Sequence, residues 1–103
     1  MAQESSRIRH TVVFNLKPAQ GSQEAKDFMD AAKKLAAIQG VENFEYLKQI
    51  SKKNKYEYGI SMEFANGQLY EAYNNHPDHI AFVQTYWSKE VEDFLEIDYQ
   101  LAD

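Results

Sequence analysis

Cysteine is absent from this chain of 103 residues. That excludes a disulfide framework, a thiol nucleophile and any cysteine-based metal site. Positive charge is scarce as well: 11 Lys and Arg stand against 16 Asp and Glu, for a formal charge of −5. Nucleic acid and anionic membrane surfaces are bound by neutralising phosphate charge, so this balance argues against both as partners. The basic stretch Lys52-Lys53-Asn54-Lys55 reads as a solvated turn. Long apolar runs are also missing. Met1-Ala2-Gln3-Glu4-Ser5-Ser6 lacks the hydrophobic segment of a signal peptide, and no stretch approaches the roughly 20 apolar residues of a membrane-spanning helix. The expectation is a cytoplasmic, soluble protein with a flexible leader over 1–7 and one domain over 8–103.

Aromatic rings are what the chain has in quantity: seven Tyr and six Phe, within a hydrophobic fraction of 44%. This suffices for a core, and rings with a polar tip suit pockets and subunit interfaces. A domain of this size buries only about two-thirds of its unfolded surface, so association with a second copy would help it.

Hydrophobic periodicity places the elements. Ile8 to Leu16 alternates, with Ile8, His10, Val12, Phe14 and Leu16 on one face and Arg9, Thr11, Val13 and Asn15 on the other. After Pro18 and Gly21, Ser22 is a plausible N-cap for a helix carrying Ala25, Phe28, Met29, Ala32, Leu35 and Ala36, and Gly40 ends it. Val41 to Ile50 reads as a strand with Phe44, Tyr46 and Ile50 on a common face. Tyr56 to Phe64 gives the cleanest alternation, with Tyr56, Tyr58, Ile60, Met62 and Phe64 together. Asn66-Gly67 opens a short helix to about Asn75. Pro77 interrupts, and a further helical piece carries His79, Phe82, Val83 and Tyr86 on one side. Val91 to Leu101 closes as a strand, with Leu95, Ile97, Tyr99 and Leu101 expected inward. The order strand-helix-strand-strand-helix-strand predicts an α+β, ferredoxin-like βαββαβ domain: a four-stranded antiparallel sheet with its helices on one face.

This pattern turns His10 and His79 towards the layer between helices and sheet. The opposite sheet face carries Thr11, Val13, Asn15, Leu47, Ser61 and Glu63, a mixed surface suited to a subunit contact or to solvent. Glu90, Glu92, Asp93, Glu96 and Asp98 cluster near the C-terminus and could offer a glycosidase-like pair. Strand alternation puts Glu92, Glu96 and Asp98 on the outward face, however, so the cluster reads as solubilising, edge-protecting charge. Tyr86 and Trp87 are expected to pack rather than bind ligand.

The stretch Asn75-His76-Pro77-Asp78-His79 offers an i, i+3 histidine pair that could share a metal. Pro77 separates the two imidazoles, however, and no third ligand accompanies them. His76 and Asp78 read as caps of the helix break, with Pro77 in the first turn. For His79 two readings stay open. As a base it could take a proton α to a carbonyl, with Tyr73 as hydrogen-bonding partner. As a structural residue it would be satisfied by a hydroxyl or a backbone carbonyl, holding helix to sheet.

Ile8-Arg9-His10-Thr11-Val12-Val13-Phe14, Tyr73-Asn74-Asn75-His76-Pro77-Asp78-His79 and Phe94-Leu95-Glu96-Ile97-Asp98-Tyr99 together resemble the stress-responsive A/B barrel domain family, within the wider dimeric α+β barrel group. The resemblance covers nearly the whole chain. It implies a homodimer in which two four-stranded sheets form a barrel with helices outside. A plant branch of the family contains a polyketide cyclase, olivetolic acid cyclase, which performs an aldol condensation without metal or organic cofactor. Carried over by motif, its base falls on His79, the tyrosine partner on Tyr73 and a first-strand pocket histidine on His10. A further pocket histidine of that branch is replaced here by Tyr58. The expected site is therefore His79, Tyr73 and His10 as catalytic groups and Tyr58, Phe14 and Phe82 as pocket walls. No cofactor and no metal are expected, and the ligand would be a small apolar or carbonyl-bearing molecule. A non-catalytic, stress-linked binding protein is the alternative. A cofactor-free monooxygenase of the related barrels is a third reading, without a signature that singles it out.

Overall fold

The structure, a computed structural model, describes residues 6–102. Its element order is β1 (Ile8–Leu16), α1 (Gln23–Lys33) with a 3₁₀ extension (Lys34–Ala37), β2 (Glu42–Lys48), β3 (Tyr58–Phe64), α2 (Gly67–Asn74), α3 (Pro77–Phe82), a π turn (Val83–Trp87), α4 (Ser88–Glu90) and β4 (Val91–Tyr99). The strands form one antiparallel sheet in the order β2-β3-β1-β4, as the βαββαβ pattern predicts.

Local chemistry sets the boundaries. Ser22 Oγ accepts from Ala25 N–H and starts α1, while Asn66 Oδ1 accepts from Leu69 N–H and starts α2. At the helix break, His76 Nδ1 accepts from Asp78 N–H and Pro77 occupies the first turn of α3. The first half of the Asn75–His79 stretch is thus a helix start. Gly40, at φ +95°, turns the chain into β2, and a Cβ there would lie 3.3 Å from the Leu69 side chain.

Alternation along β1 puts His10, Val12, Phe14 and Leu16 against the helices, where they meet Phe28 and Leu35 of the first helical segment. Phe14, Phe28 and Phe64 are fully buried. Phe14 is the hub of a ring cluster, touching Phe28, Tyr46, Tyr58 and Trp87 at centroid distances of 5.1 to 6.0 Å. Burying such rings is the main term holding helices to sheet.

Three expectations need correction. Ile50 lies beyond β2 and is 85% exposed, although Phe44 and Tyr46 do pack on the core. Tyr56 lies outside β3. The faces of β4 are reversed. His10 pairs with Asp98, Val12 with Glu96 and Phe14 with Phe94, so Phe94, Glu96 and Asp98 share the helix-side face. Leu95, Ile97 and Tyr99 lie on the opposite face and are exposed, as is Leu101 beyond the strand. Within the stretch read as a leader, Ser6 Oγ donates to Ala65 O, and Arg7 pairs with Glu42 and Glu63. The rest of that leader, 1–5, lies outside the described residues. Among the described residues no helix is long and apolar enough to cross a membrane.

Candidate functional site

A cavity of about 210 Å³, partly open to the surface, lies between the sheet and the helices. Val12, Leu35, Ile60, Met62, Phe82 and Phe94 supply apolar wall, while His10, Tyr73, Asn74, His79 and Glu96 supply polar groups. Val83 and Trp87, the two ends of the π turn, also line it. The wider i→i+5 turn is a feature that recurs at functional sites. Trp87 was expected only to pack. It does pack, against Phe14 and edge-on to Phe94 at 5.5 Å, and in doing so closes one side of the space.

The expected catalytic trio meets here. His79, Tyr73 and His10 line the same cavity, and so does Phe82. The structure does not bring Phe14 and Tyr58 to it. Phe14 is wholly enclosed, and Tyr58 stacks on Phe14 at 5.5 Å on the far side of the ring cluster.

His79 is half-buried at the start of α3. Its Nδ1–H donates to Asn74 O at 3.2 Å, which leaves Nε2 as the unprotonated nitrogen of the neutral ring. Burial lowers its pKa from the ordinary histidine value, more than the Asn74 carbonyl raises it. The tyrosine–histidine hydrogen bond expected from spacing is replaced by ring contact, with centroids 4.4 Å apart. Tyr73 packs its ring on Phe64 as well. Burial, followed by the charge of Glu96, pushes its pKa up, so its hydroxyl is a proton donor throughout the neutral range.

His10 is buried and held by groups that sequence reasoning did not assign to the site. Its Nδ1–H donates to Asp98 Oδ1 at 2.7 Å, and Glu96 Oε2 lies 3.5 Å from the same nitrogen. Tyr70 Oη sits 2.9 Å from His10 Nδ1 and donates to Asp98 Oδ2 at 2.8 Å, with Glu96 Oε2 at 3.3 Å. One carboxylate thus orients the imidazole and one phenol orients the carboxylate, so Nε2 is the nitrogen left for a ligand. Burial and then the Asp98 hydrogen bond raise the Tyr70 pKa. Glu96 and Asp98 had been read as outward charge. The β1–β4 register overturns that reading, because residues opposite His10 and Val12 must share their face.

His10, Glu96 and Asp98 present donor atoms within 4.8 Å of one another, the one grouping among the described residues that could hold a metal ion. His76 contributes to the helix start instead and pairs only loosely with Asp78, at 3.9 Å.

Comparison with known proteins places the fold. A family model described as the stress responsive A/B barrel domain matches residues 8–101. A crystal structure of a Dabb family protein with a ferredoxin-like fold from Mesorhizobium loti is 57% identical, with a TM-score of 0.91, covering 94% of this chain and 98% of that one. A dimeric ferredoxin-like protein of unknown function from Thermobifida fusca is 22% identical, with a TM-score of 0.77, covering 92% and 91%. A hydroxynitrile lyase from Passiflora edulis is 13% identical, with a TM-score of 0.82 and 96% of each chain covered. The last two show the fold alone. No curated protein sequence matches this chain significantly.

Proposed function

Since the chain belongs to the stress responsive A/B barrel domain family, we propose that it works as a homodimer whose inner cavity takes a small apolar or carbonyl-bearing molecule. The observation that carries this reading is the convergence of His79, Tyr73 and His10 on one partly open, mainly apolar cavity. Such a space solvates an apolar body, and its few polar groups fix one oxygen. The chemistry within reach is cofactor-free acid/base work such as enolisation, aldol cyclisation or isomerisation. His79, neutral with a free Nε2, is the base. The Tyr73 hydroxyl polarises the developing enolate oxygen, and His10 orients or polarises the carbonyl.

Support for the dimer comes from the outer sheet face, where Leu47, Leu95 and Ile97 are 39–49% exposed beside Val13. A monomer exposing this band would leave a contiguous apolar patch in water. Structures of the same fold, from Thermobifida fusca and from Bacteroides fragilis, are described as dimeric. The Asn74–His79 hydrogen bond favours a second reading, in which His79 clasps the helix break and the cavity only binds.

His79→Ala separates the two. Lost binding of acetophenone, a neutral aryl ketone, at unchanged thermal stability supports the site. A large stability loss with binding retained supports the clasp. Solution mass tests the dimer: a persistent monomer at micromolar concentration overturns it.

A further inference from the structure

We propose that the cavity is charge-selective: Glu96, backed by Asp98, admits a neutral carbonyl-bearing ligand and refuses its carboxylate counterpart. This rests on the cavity being a ligand site, and adds which ligands it takes.

Glu96 lines the cavity, and Asp98 stands next to it on the same strand face. Among the described residues no Lys or Arg lines this space. The polar end therefore presents the Glu96 carboxylate, with Asp98 behind it bound to His10. His79 does not supply the missing cation, because burial favours its neutral form. The phenols of Tyr70 and Tyr73 stay protonated and donate hydrogen bonds without bringing charge. An incoming carboxylate would lose hydration against apolar walls, would meet Glu96 and would find no permanent cation to pair with. A ketone or aldehyde oxygen needs only a donor, and the Tyr73 hydroxyl can supply one. A cation gains less than the two carboxylates suggest, because Asp98 is already bound to His10 and Tyr70 and only the half-exposed Glu96 is left to pair with it. The single Tyr70 proton goes to Asp98 at 2.8 Å, and Glu96 Oε2 stands 3.3 Å from the same oxygen.

Three probes of nearly equal shape test this in the intact chain at pH 7.5: acetophenone, benzoate and 1-phenylethylamine. Binding is followed through the imidazole resonances of His10 and His79. Acetophenone is expected to bind at least tenfold more tightly than benzoate, with the amine between them. Glu96→Gln is expected to narrow the ketone-to-benzoate ratio to threefold or less by strengthening benzoate. The Glu96 side chain is half exposed, so the variant should keep its fold, and the wild-type ratio is decisive without it. Benzoate binding as tightly as the ketone overturns the charge filter and leaves the cavity reading intact. The amine binding most tightly overturns selectivity for a neutral ligand. If none of the three shifts either imidazole, the cavity reading itself falls.

Discussion

Tyr70→Phe removes one oxygen from the centre of the polar cluster and leaves the ring in place. The hydroxyl reaches His10, Asp98 and Glu96 at 2.8 to 3.3 Å. The ring stacks on Phe64 at 5.0 Å, a contact the phenylalanine keeps. Hydrogen bonds to charged groups contribute roughly 1.5–3 kcal/mol each when their partners stay dry. Here the Asp98 and Glu96 side chains are 40% and 48% exposed and can turn to water. That discount brings the expected loss to about 1–2 kcal/mol. For a domain of this length it corresponds to a fall in Tm of roughly 5–10 °C. The assay is urea denaturation at fixed protein concentration, since dimer dissociation would make the midpoint depend on concentration. ¹⁵N spectra of the imidazoles should show His10 still protonated at Nδ1, because Asp98 remains. A loss below about 0.3 kcal/mol, well under the value of one hydrogen bond, would refute the placement of Tyr70 in this network. A loss above about 4 kcal/mol would show that the ring's packing had been disturbed instead.

The other perturbations probe different layers. Because burial holds the folded-state pKa of His79 below its unfolded value, the unfolded chain takes up this proton first. The stability His79 contributes is present above about pH 6.5 and is lost as pH falls towards the lowered folded value. Between pH 7 and 5 the wild type should therefore lose more stability than His79→Gln in matched urea titrations; equal slopes would contradict the assignment. Ile97→Lys places a charge in the exposed apolar band of the outer face and should weaken self-association at least a hundredfold by sedimentation, with helical content unchanged. Phe28→Ala empties a fully buried position touching Phe14, Phe82 and Trp87; chemical denaturation should show a loss of about 3–5 kcal/mol.

The fold was legible because period-2 and period-3.6 patterns alternate cleanly and end at recognisable caps: Ser22, Asn66 and the His76-Pro77 pair all start helices. His10 and His79 could be turned inward from spacing alone, since each lies in register with residues that are unambiguously core. The β4 faces could not be assigned that way. Val91 to Tyr99 offers apolar residues on both faces, Phe94 on one and Leu95 and Ile97 on the other, and assigning the larger apolar set to the helix side reversed the strand. A sheet whose outer face also carries an apolar band gives hydrophobicity no means of choosing a side. Only the pairing of His10 with Asp98 decides it. Tyr70 was hidden for a related reason: in the short α2 its i, i+3 relation to Tyr73 reads as ordinary packing, and its partners lie 26 and 28 residues away on β4. Tyr58 was expected at the pocket because the resemblance puts a pocket histidine at that position, and Phe14 because it shares the β1 face of His10. That face is longer than the cavity, and those two rings occupy its other end.

The central claim is that the cavity positions a base against a carbonyl-bearing molecule, and α-proton exchange tests it most directly. Acetophenone incubated in D₂O with the wild-type protein should lose its methyl protons to deuterium faster than in buffer. The acceleration should persist somewhat below pH 6.5, because the His79 pKa is lowered, and should vanish in His79→Ala while that variant remains folded. Exchange at the buffer rate with wild-type protein, or equal acceleration by His79→Ala, would contradict the account.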